Sequence, residues 1–331
     1  MRVSQAGLLR SVDLFEGLQP NEIENIEHGA ESFSFDAGEF LYRQADPAEK
    51  VFVVESGHVE ISVRVPGDER IVVGEASSGG VVGEICLLRT AVRTSSARCS
   101  EPTYGLSIRR DDLEKMLWYS PSPASIRVLR RVLGRASERL RQVTDNIACV
   151  IGDGLDEPGD SVGERESEQV GQFREMPRAD ELAHVPFFSA FEPEEREELA
   201  RRMTCREISR GDVLFEEGDA ADSCFVVARG AVEVRVNRRN VSERVALLGP
   251  GKMVGHLALI DPAPRSATCV IRETATLFEL GTSDFEALLE GVSPSSMRFM
   301  DSLVRLMSDG LGRSERRLTH LALTGKARLG R

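Results

Sequence analysis

No run in this 331-residue chain approaches the roughly 20 consecutive apolar residues of a membrane-crossing helix. The opening MRVSQAGLLRSVDLFEG also lacks the apolar block of a secretory signal. Both absences lead us to expect a cytoplasmic protein with no membrane partner. Cysteine is sparse and has no paired pattern: Cys86, Cys99, Cys149, Cys205, Cys224 and Cys269 contain no Cys-x-x-Cys and no metal-ligand spacing. That excludes a zinc module, and the cysteines read as small buried hydrophobes in a reducing compartment. Positive charge is short as well. The 42 Lys and Arg against 54 Asp and Glu leave a formal charge of -12, which argues against a chain whose whole surface grips nucleic acid. His256 has no nucleophile or carboxylate partner beside it, and neither an enzyme nor catalytic residues are expected.

What the chain does have is a 41% hydrophobic content, enough for two cores, and a text written twice. At a shift of 173 positions, Leu14 to Pro20 aligns with Phe187 to Pro193, and VFVVESGHVEISV (Val51 to Val63) with CFVVARGAVEVRV (Cys224 to Val236). After one deletion the shift is 172, carrying Gly83 onto Gly255, Arg93 onto Arg265 and Leu113 onto Phe285. Each copy opens with an acidic amphipathic helix. Short Val/Ile/Phe-rich strands broken by glycine follow, as in an antiparallel barrel or jelly roll, and helices close the copy. The expected fold is α+β, mainly β: two tandem antiparallel β-rolls, over residues 8–150 and 181–325. Between them, residues 151–180 are rich in glycine and acid and read as a flexible linker.

The segment VVGEICLLRTAVRTSSARC (Val81 to Cys99) carries the chemistry. Gly83 turns the chain, and Glu84-Ile85-Cys86-Leu87-Leu88 suits a single helical turn whose free backbone N–H groups attract an anion. Arg93 can fold back to clamp that anion with charge-assisted hydrogen bonds. A carboxylate beside an anion is paradoxical until the ligand also presents sugar hydroxyls, which an acceptor-only group binds well.

These residues resemble the phosphate-binding cassette of cyclic nucleotide-binding domains, found in the bacterial catabolite activator, the regulatory subunits of cAMP-dependent protein kinase and cyclic-nucleotide-gated channels. That cassette runs Gly-Glu-(Leu/Ile)-(Ala/Gly/Cys)-Leu, a loop, then Arg-(Ala/Ser/Thr)-Ala-(Thr/Ser). The resemblance implies that Glu84 holds the ribose 2'-hydroxyl and Arg93 the cyclic phosphate. The backbone around Gly83, Ile85 and Cys86, with Thr94 and Ser95, would complete the cradle. In the second copy Gly255, His256, Leu257, Ala258, Arg265, Ser266 and Ala267 keep the turn and the arginine, but His256 replaces the glutamate. An imidazole lacks the carboxylate's charge. The second copy is therefore either a weakened site or a degenerate, structural half. The ligand expected from the resemblance is cAMP, with cGMP as the alternative because Thr94 follows the arginine.

Apolar residues recur at spacings of three and four from Ile126 to Val150 and from Met297 to Leu321. That pattern suggests a helix-helix seam, either a homodimer through the C-terminal helices or pairing within one chain. Past the second helix only HLALTGKARLGR remains, with no helix-turn-helix, and no kinase motif or channel span occurs. The expectation is a receptor that signals to a separate protein effector by moving its C-terminal helices. The alternatives are a ligand-free scaffold and the regulatory subunit of an enzyme complex.

Overall fold

The computed structural model describes residues 5–64, 70–89, 92–119, 121–152, 172–174, 176–238 and 241–329. Residues 153–171, most of the expected linker, lie outside the described residues. The chain forms two compact units, residues 1–143 with 307–323, and residues 144–306 with 324–331. Residues 307–323 thus go with the first unit, although their place in the sequence put them with the second copy.

The first unit begins with helices α1 (Gln5–Ser11) and α2 (Pro20–Gly29). α2 starts at a proline whose ring presets the helical φ, and the Glu22 carboxylate turns back to accept from the Gln19 N–H at 2.7 Å. Eight strands follow: β1 (Ala30–Phe35), β2 (Phe40–Tyr42), β3 (Lys50–Ser56), β4 (Val59–Arg64), β5 (Arg70–Ala76), β6 (Val81–Val82), β7 (Ser96–Cys99) and β8 (Thr103–Arg109). They make two four-stranded antiparallel sheets, ordered β1-β8-β3-β6 and β2-β7-β4-β5. Leu41, Phe52, Val54, Val59, Val82, Ala97 and Cys99 pack together as the roll's core. The unit continues through α3 (Arg110–Glu114) into the 30-residue α4 (Pro123–Gly152).

The second unit repeats this plan. An edge strand β9 (Gln172–Arg174), which falls inside the segment read as linker, pairs with β10 (Met203–Ile208). Between them lie α5 (Ala179–Ala183) and α6 (Pro193–Arg202), the latter again opened by proline and by a glutamate, Glu195, accepting from the Glu192 N–H at 2.8 Å. Then come β11 (Val213–Phe215), β12 (Ser223–Arg238), β13 (Val241–Leu248), β14 (Met253–Val254), α7 (Leu257–Ile260), β15 (Thr268–Gly281), α8 (Thr282–Glu290) and α9 (Pro294–Leu329). Here the paired strands run on where the first unit breaks them, so β12 covers the positions of β3 and β4, and β15 those of β7 and β8.

The duplication is visible in the register. Lys50 pairs with Arg109 and Phe52 with Val82 in the first unit; Ser223 pairs with Gly281 and Phe225 with Val254 in the second. These are the same positions under the 173 and 172 shifts. The second core follows suit with Phe225, Val227, Val232, Val254, Cys269 and Ile271. Five of the six cysteines are buried among such apolar neighbours, while Cys149 on α4 is exposed and departs from the expectation. Among the described residues no helix is long and apolar enough to cross a membrane, and no cluster of His, Cys, Asp or Glu could hold a metal.

Gly57 marks the corner between β3 and β4, with φ at +104°, and a Cβ there would sit 2.6 Å from the Pro102 carbonyl. Gly230 repeats the geometry at φ +80°, 2.5 Å from the Thr274 carbonyl. Left-handed backbone and a backbone collision add, so Gly57→Ala is expected to destabilise the first unit by about 2–3 kcal/mol. Gly79 has φ +82° but nothing within 4 Å, so Gly79→Ala carries strain alone, about 1 kcal/mol. Thermal melts of the two variants followed by circular dichroism check this ordering.

Candidate functional site

Strand β6 ends at Val82, and Gly83 at φ +84° turns the chain into a 3₁₀ turn, Glu84–Leu88, which closes at Arg89 with φ +60°. Only glycine fits at 83. Besides the left-handed backbone, a Cβ would lie 2.5 Å from Arg93 Nη1. The reason for that proximity is the arginine's anchorage: Arg93 Nη1 donates to the Gly83 carbonyl at 3.1 Å, and Nη2 donates to the Lys50 carbonyl. Its guanidinium carbon rests 4.0 Å above the centre of the Tyr42 ring, a cation–π contact made in a nearly dry setting. With two nitrogens tied, Nε is buried and has no partner among the described residues. A buried N–H of a permanent cation left unpaired is costly.

Around it lies a cavity of about 640 Å³, the size of a nucleotide-scale pocket. Gly83, Glu84, Ile85, Cys86, Arg93, Thr94 and Ser95 all line it, so the fold brings together every first-copy position singled out in the sequence. Tyr42 supplies a further wall and lies within hydrogen-bonding reach of Ser95. Burial pushes the Tyr42 phenol and the Cys86 thiol up, the latter to about 11, so both stay neutral at physiological pH. The lid side is helical. Arg135, Glu138, Arg139 and Gln142 on α4 line the cavity at the i, i+3, i+4, i+7 spacing of one helix face.

The α4 arginines also tie the helix to the amino-terminal segment and the roll. Arg127 donates to the Gly17 carbonyl and Arg131 to the Glu16 carbonyl and carboxylate. Arg135 bridges Asp13 at 2.6 Å and Glu84 at 4.0 Å. Arg139 donates to the Val73 carbonyl at 2.7 Å and pairs with Glu315 of α9 at 3.3 Å. The sequence reading missed the cavity-lining positions of Tyr42, Arg135 and Arg139, because Tyr42 comes from strand β2, far from the cassette in sequence, and the two arginines approach Arg93 and Glu84 only when α4 folds back over the roll.

Glu84 is nearly dry, and burial raises its carboxyl pKa against the opposing pull of Arg135, Arg139 and Arg93. A carboxylate so placed is costly to keep ionised. In the second unit the frame is the same and the acceptor differs. Arg265 Nη1 donates to the Gly255 carbonyl at 3.1 Å, the guanidinium lies 4.2 Å over Phe215, and Nε is again unpartnered among the described residues. Nη2 sits 3.6 Å from Asp222. Gly255 has φ +79°, with Leu257 and Ala258 in α7 and Ser266 and Ala267 leading into β15. His256 is buried, which lowers its pKa to about 4 despite the Met253 backbone, so it is a neutral imidazole at physiological pH. It offers neither the carboxylate's charge nor a second acceptor oxygen.

This arrangement, twice in one chain, matches the family model for the cyclic nucleotide-binding domain over residues 32–118 and 205–291. The chain belongs to the cyclic nucleotide-binding domain family. Relatives include the cAMP-dependent protein kinase type II regulatory subunit of Drosophila melanogaster, 23% identical over 91% of this chain and 64% of that protein. The cAMP-dependent protein kinase regulatory subunit of Blastocladiella emersonii is 24% identical over 83% of this chain and 56% of its own length. The chain thus spans less than two thirds of the curated relatives it matches over most of its length. Among solved structures, the regulatory domain of Toxoplasma gondii PKA with cAMP aligns over 92% of this chain and 94% of that one, at 18% identity and a TM-score of 0.33. A cyclic nucleotide-binding domain from Methylobacillus flagellatus covers 42% of this chain and 79% of its own, at 25% identity and a TM-score of 0.38.

The burial of Glu84 has a measurable sign. A carboxyl whose folded pKa lies above its unfolded value stabilises the fold fully only below the unfolded value, and that contribution is lost as pH rises through the folded one. Glu84→Gln is therefore expected to raise the melting temperature of ligand-free protein at pH 8. The gain should shrink as the pH falls, because the raised pKa lets the wild-type carboxyl take up its proton earlier than an ordinary glutamate. Melts across that range check it, and an equal gain at every pH would refute the assignment.

Proposed function

We propose that the protein is a non-enzymatic receptor for a cyclic nucleotide, sensed in the first unit and passed on to a separate protein effector. The observation that carries this reading is Arg93: a buried, permanent cation with two nitrogens anchored and its Nε unpartnered among the described residues, on the wall of a nucleotide-sized cavity whose other wall holds Glu84. In that cavity Arg93 takes the cyclic phosphate, Glu84 accepts from the ribose 2'-hydroxyl, and the backbone after Gly83 with Thr94 and Ser95 completes the cradle. The names of the relatives support cAMP as the first ligand, with cGMP second. Those relatives are regulatory subunits, which supports a protein partner.

The second unit is a weaker site. Its arginine is held as in the first, but neutral His256 cannot make the charge-assisted contact to a sugar hydroxyl. Ligand coupling runs through α4, because Arg135 and Arg139 tie that helix to Glu84 and to the roll. Since residues 307–323 already belong with the first unit, pairing of the long helices within one chain is favoured over a homodimer through them. A cytoplasmic setting accords with this role.

Calorimetric titration with cAMP and cGMP of the wild type, Arg93→Ala and Arg265→Ala tests the reading. Loss of one charge-assisted anchor is expected to weaken the first-unit site on the order of tenfold to a hundredfold in Arg93→Ala. Arg265→Ala should leave that site intact. If the wild type, shown free of carried-over nucleotide, binds neither ligand, the receptor reading is wrong and a scaffold built on the same fold replaces it.

A further inference from the structure

The least expected group beside the first-unit cavity is Glu315. It stands one helical turn from both Leu311 and Leu318, at a seam position of α9 where the spacing calls for an apolar side chain, yet it is an acid with 4% of its surface exposed. Its partner is Arg139 of α4. The Arg139 Nη2 donates to Glu315 Oε1 at 3.3 Å, while Nη1 of the same guanidinium donates to the Val73 carbonyl at 2.7 Å. The helices approach closely here, since Gly310 of α9 faces Leu140 of α4, where an added Cβ would stand 3.7 Å from Cδ2. Little room is left for water to replace either partner.

This pair is more than a clip between two helices, because one of its members belongs to the cavity and the other does not. Arg139 lines the cavity wall together with Arg93, whereas Glu315 stands behind it. A buried carboxylate that relies on one cation feels anything else that claims that cation. Burial pushes the Glu315 carboxyl up to about 7 against the opposing pull of Arg139 on α4, the Thr94 hydroxyl beside the cassette and Arg316 on its own helix. Arg139 in turn faces Tyr42 of β2 and Glu84 of the cassette besides Glu315. An anion entering the cavity adds a further negative charge that shares Arg139. Less of the guanidinium's field is then left for Glu315, and a like charge is nearer, so both changes favour its protonated form.

We propose that Glu315 is a positioning residue that keys α9 to the first-unit cavity through Arg139 and takes up a proton when an anionic nucleotide occupies that cavity. This rests on the receptor reading above and adds to it a proton as a second input. Linkage sets the direction: a group that holds its proton more firmly in the bound state makes binding tighter as pH falls. A cyclic phosphodiester stays ionised throughout, so the ligand's own phosphate contributes nothing to this dependence. Glu84 works the other way. It accepts from the ligand as a carboxylate, and binding there releases a proton. The two carboxyls are told apart by removing Glu315 alone.

Protein carrying Arg265→Ala, to silence the second unit, is titrated calorimetrically with cAMP and with cGMP at pH 6 and pH 8, with and without Glu315→Gln. Repeating each titration near pH 7 in two buffers of different ionisation enthalpy counts the protons exchanged. With Glu315 present, binding should take up a fraction of a proton more than in Glu315→Gln. The ratio of Kd at pH 8 to Kd at pH 6 should exceed that of the variant by about threefold to tenfold. The same proton balance and the same Kd ratio in both proteins overturn the proposal and leave the receptor reading standing. Carbon-13 NMR of the Glu315 carboxyl gives a reading that does not depend on how the variant folds. Its titration midpoint should rise on adding cAMP, and a midpoint that stays or falls likewise overturns the proposal. Binding of neither nucleotide overturns both readings.

Discussion

An arginine laid on an aromatic ring and tied to the carbonyl of a left-handed glycine is the constraint on which this molecule turns. Arg93 over Tyr42 and on Gly83, and Arg265 over Phe215 and on Gly255, hold a permanent positive charge inside a small β-roll. Burying such a charge costs several kcal/mol before compensation. Two carbonyl acceptors and a ring face offset part of that cost for Arg93, and its Nε is left buried without a partner among the described residues. The roll has to be stable enough to carry this deficit. Its matched cores, Phe52 with Val82 and Ala97 in one copy and Phe225 with Val254 and Cys269 in the other, supply the apolar burial that does so.

Glu84 adds a second deficit of opposite sign, and α4 answers it. Arg135 reaches both Asp13 in the amino-terminal turn and Glu84 in the cassette, so the position of α4, the entry turn and the acceptor for the ligand are held by one side chain. A ligand that donates to Glu84 and accepts from Arg93 satisfies both groups at once, and in doing so competes for the same carboxylate that Arg135 holds. Under the receptor reading proposed above, binding and helix placement are one equilibrium, in the sense that a ligand shifts a population only through contacts that differ between two states. The second unit lacks that coupling: a neutral imidazole stands where the carboxylate would be, and no charge there calls for a helix-borne partner.

The two copies were legible because a β-roll repeats under rigid rules. Glycines recur where the backbone must turn left-handed, and hydrophobic residues alternate where strands face the core, so the 173 and 172 shifts found in the letters reappear as strand register. The cassette was legible for the same reason, since Gly83, Glu84 and Arg93 lie within eleven residues and their proximity is local. The α4 residues that line the cavity could not be placed there from the sequence, since only the helix's apolar spacing was legible. Glu315 was not legible, because nothing in the apolar spacing of α9 distinguishes a buried acid from an exposed one.

Taken alone, the sequence determined the duplicated β-rolls, the cassette of Gly83, Glu84 and Arg93 and the loss of the carboxylate at His256, because each is a short-range pattern enforced by backbone geometry and side-chain chemistry. Tertiary structure decided what covers the cradle. It set the cation–π seat under Arg93, the approach of Arg135 and Arg139 to Glu84, and the assignment of residues 307–323 to the first unit. It also paired Glu315 with an arginine 176 positions away. Contacts over such separations depend on how a helix is laid against the roll, and no local spacing records that.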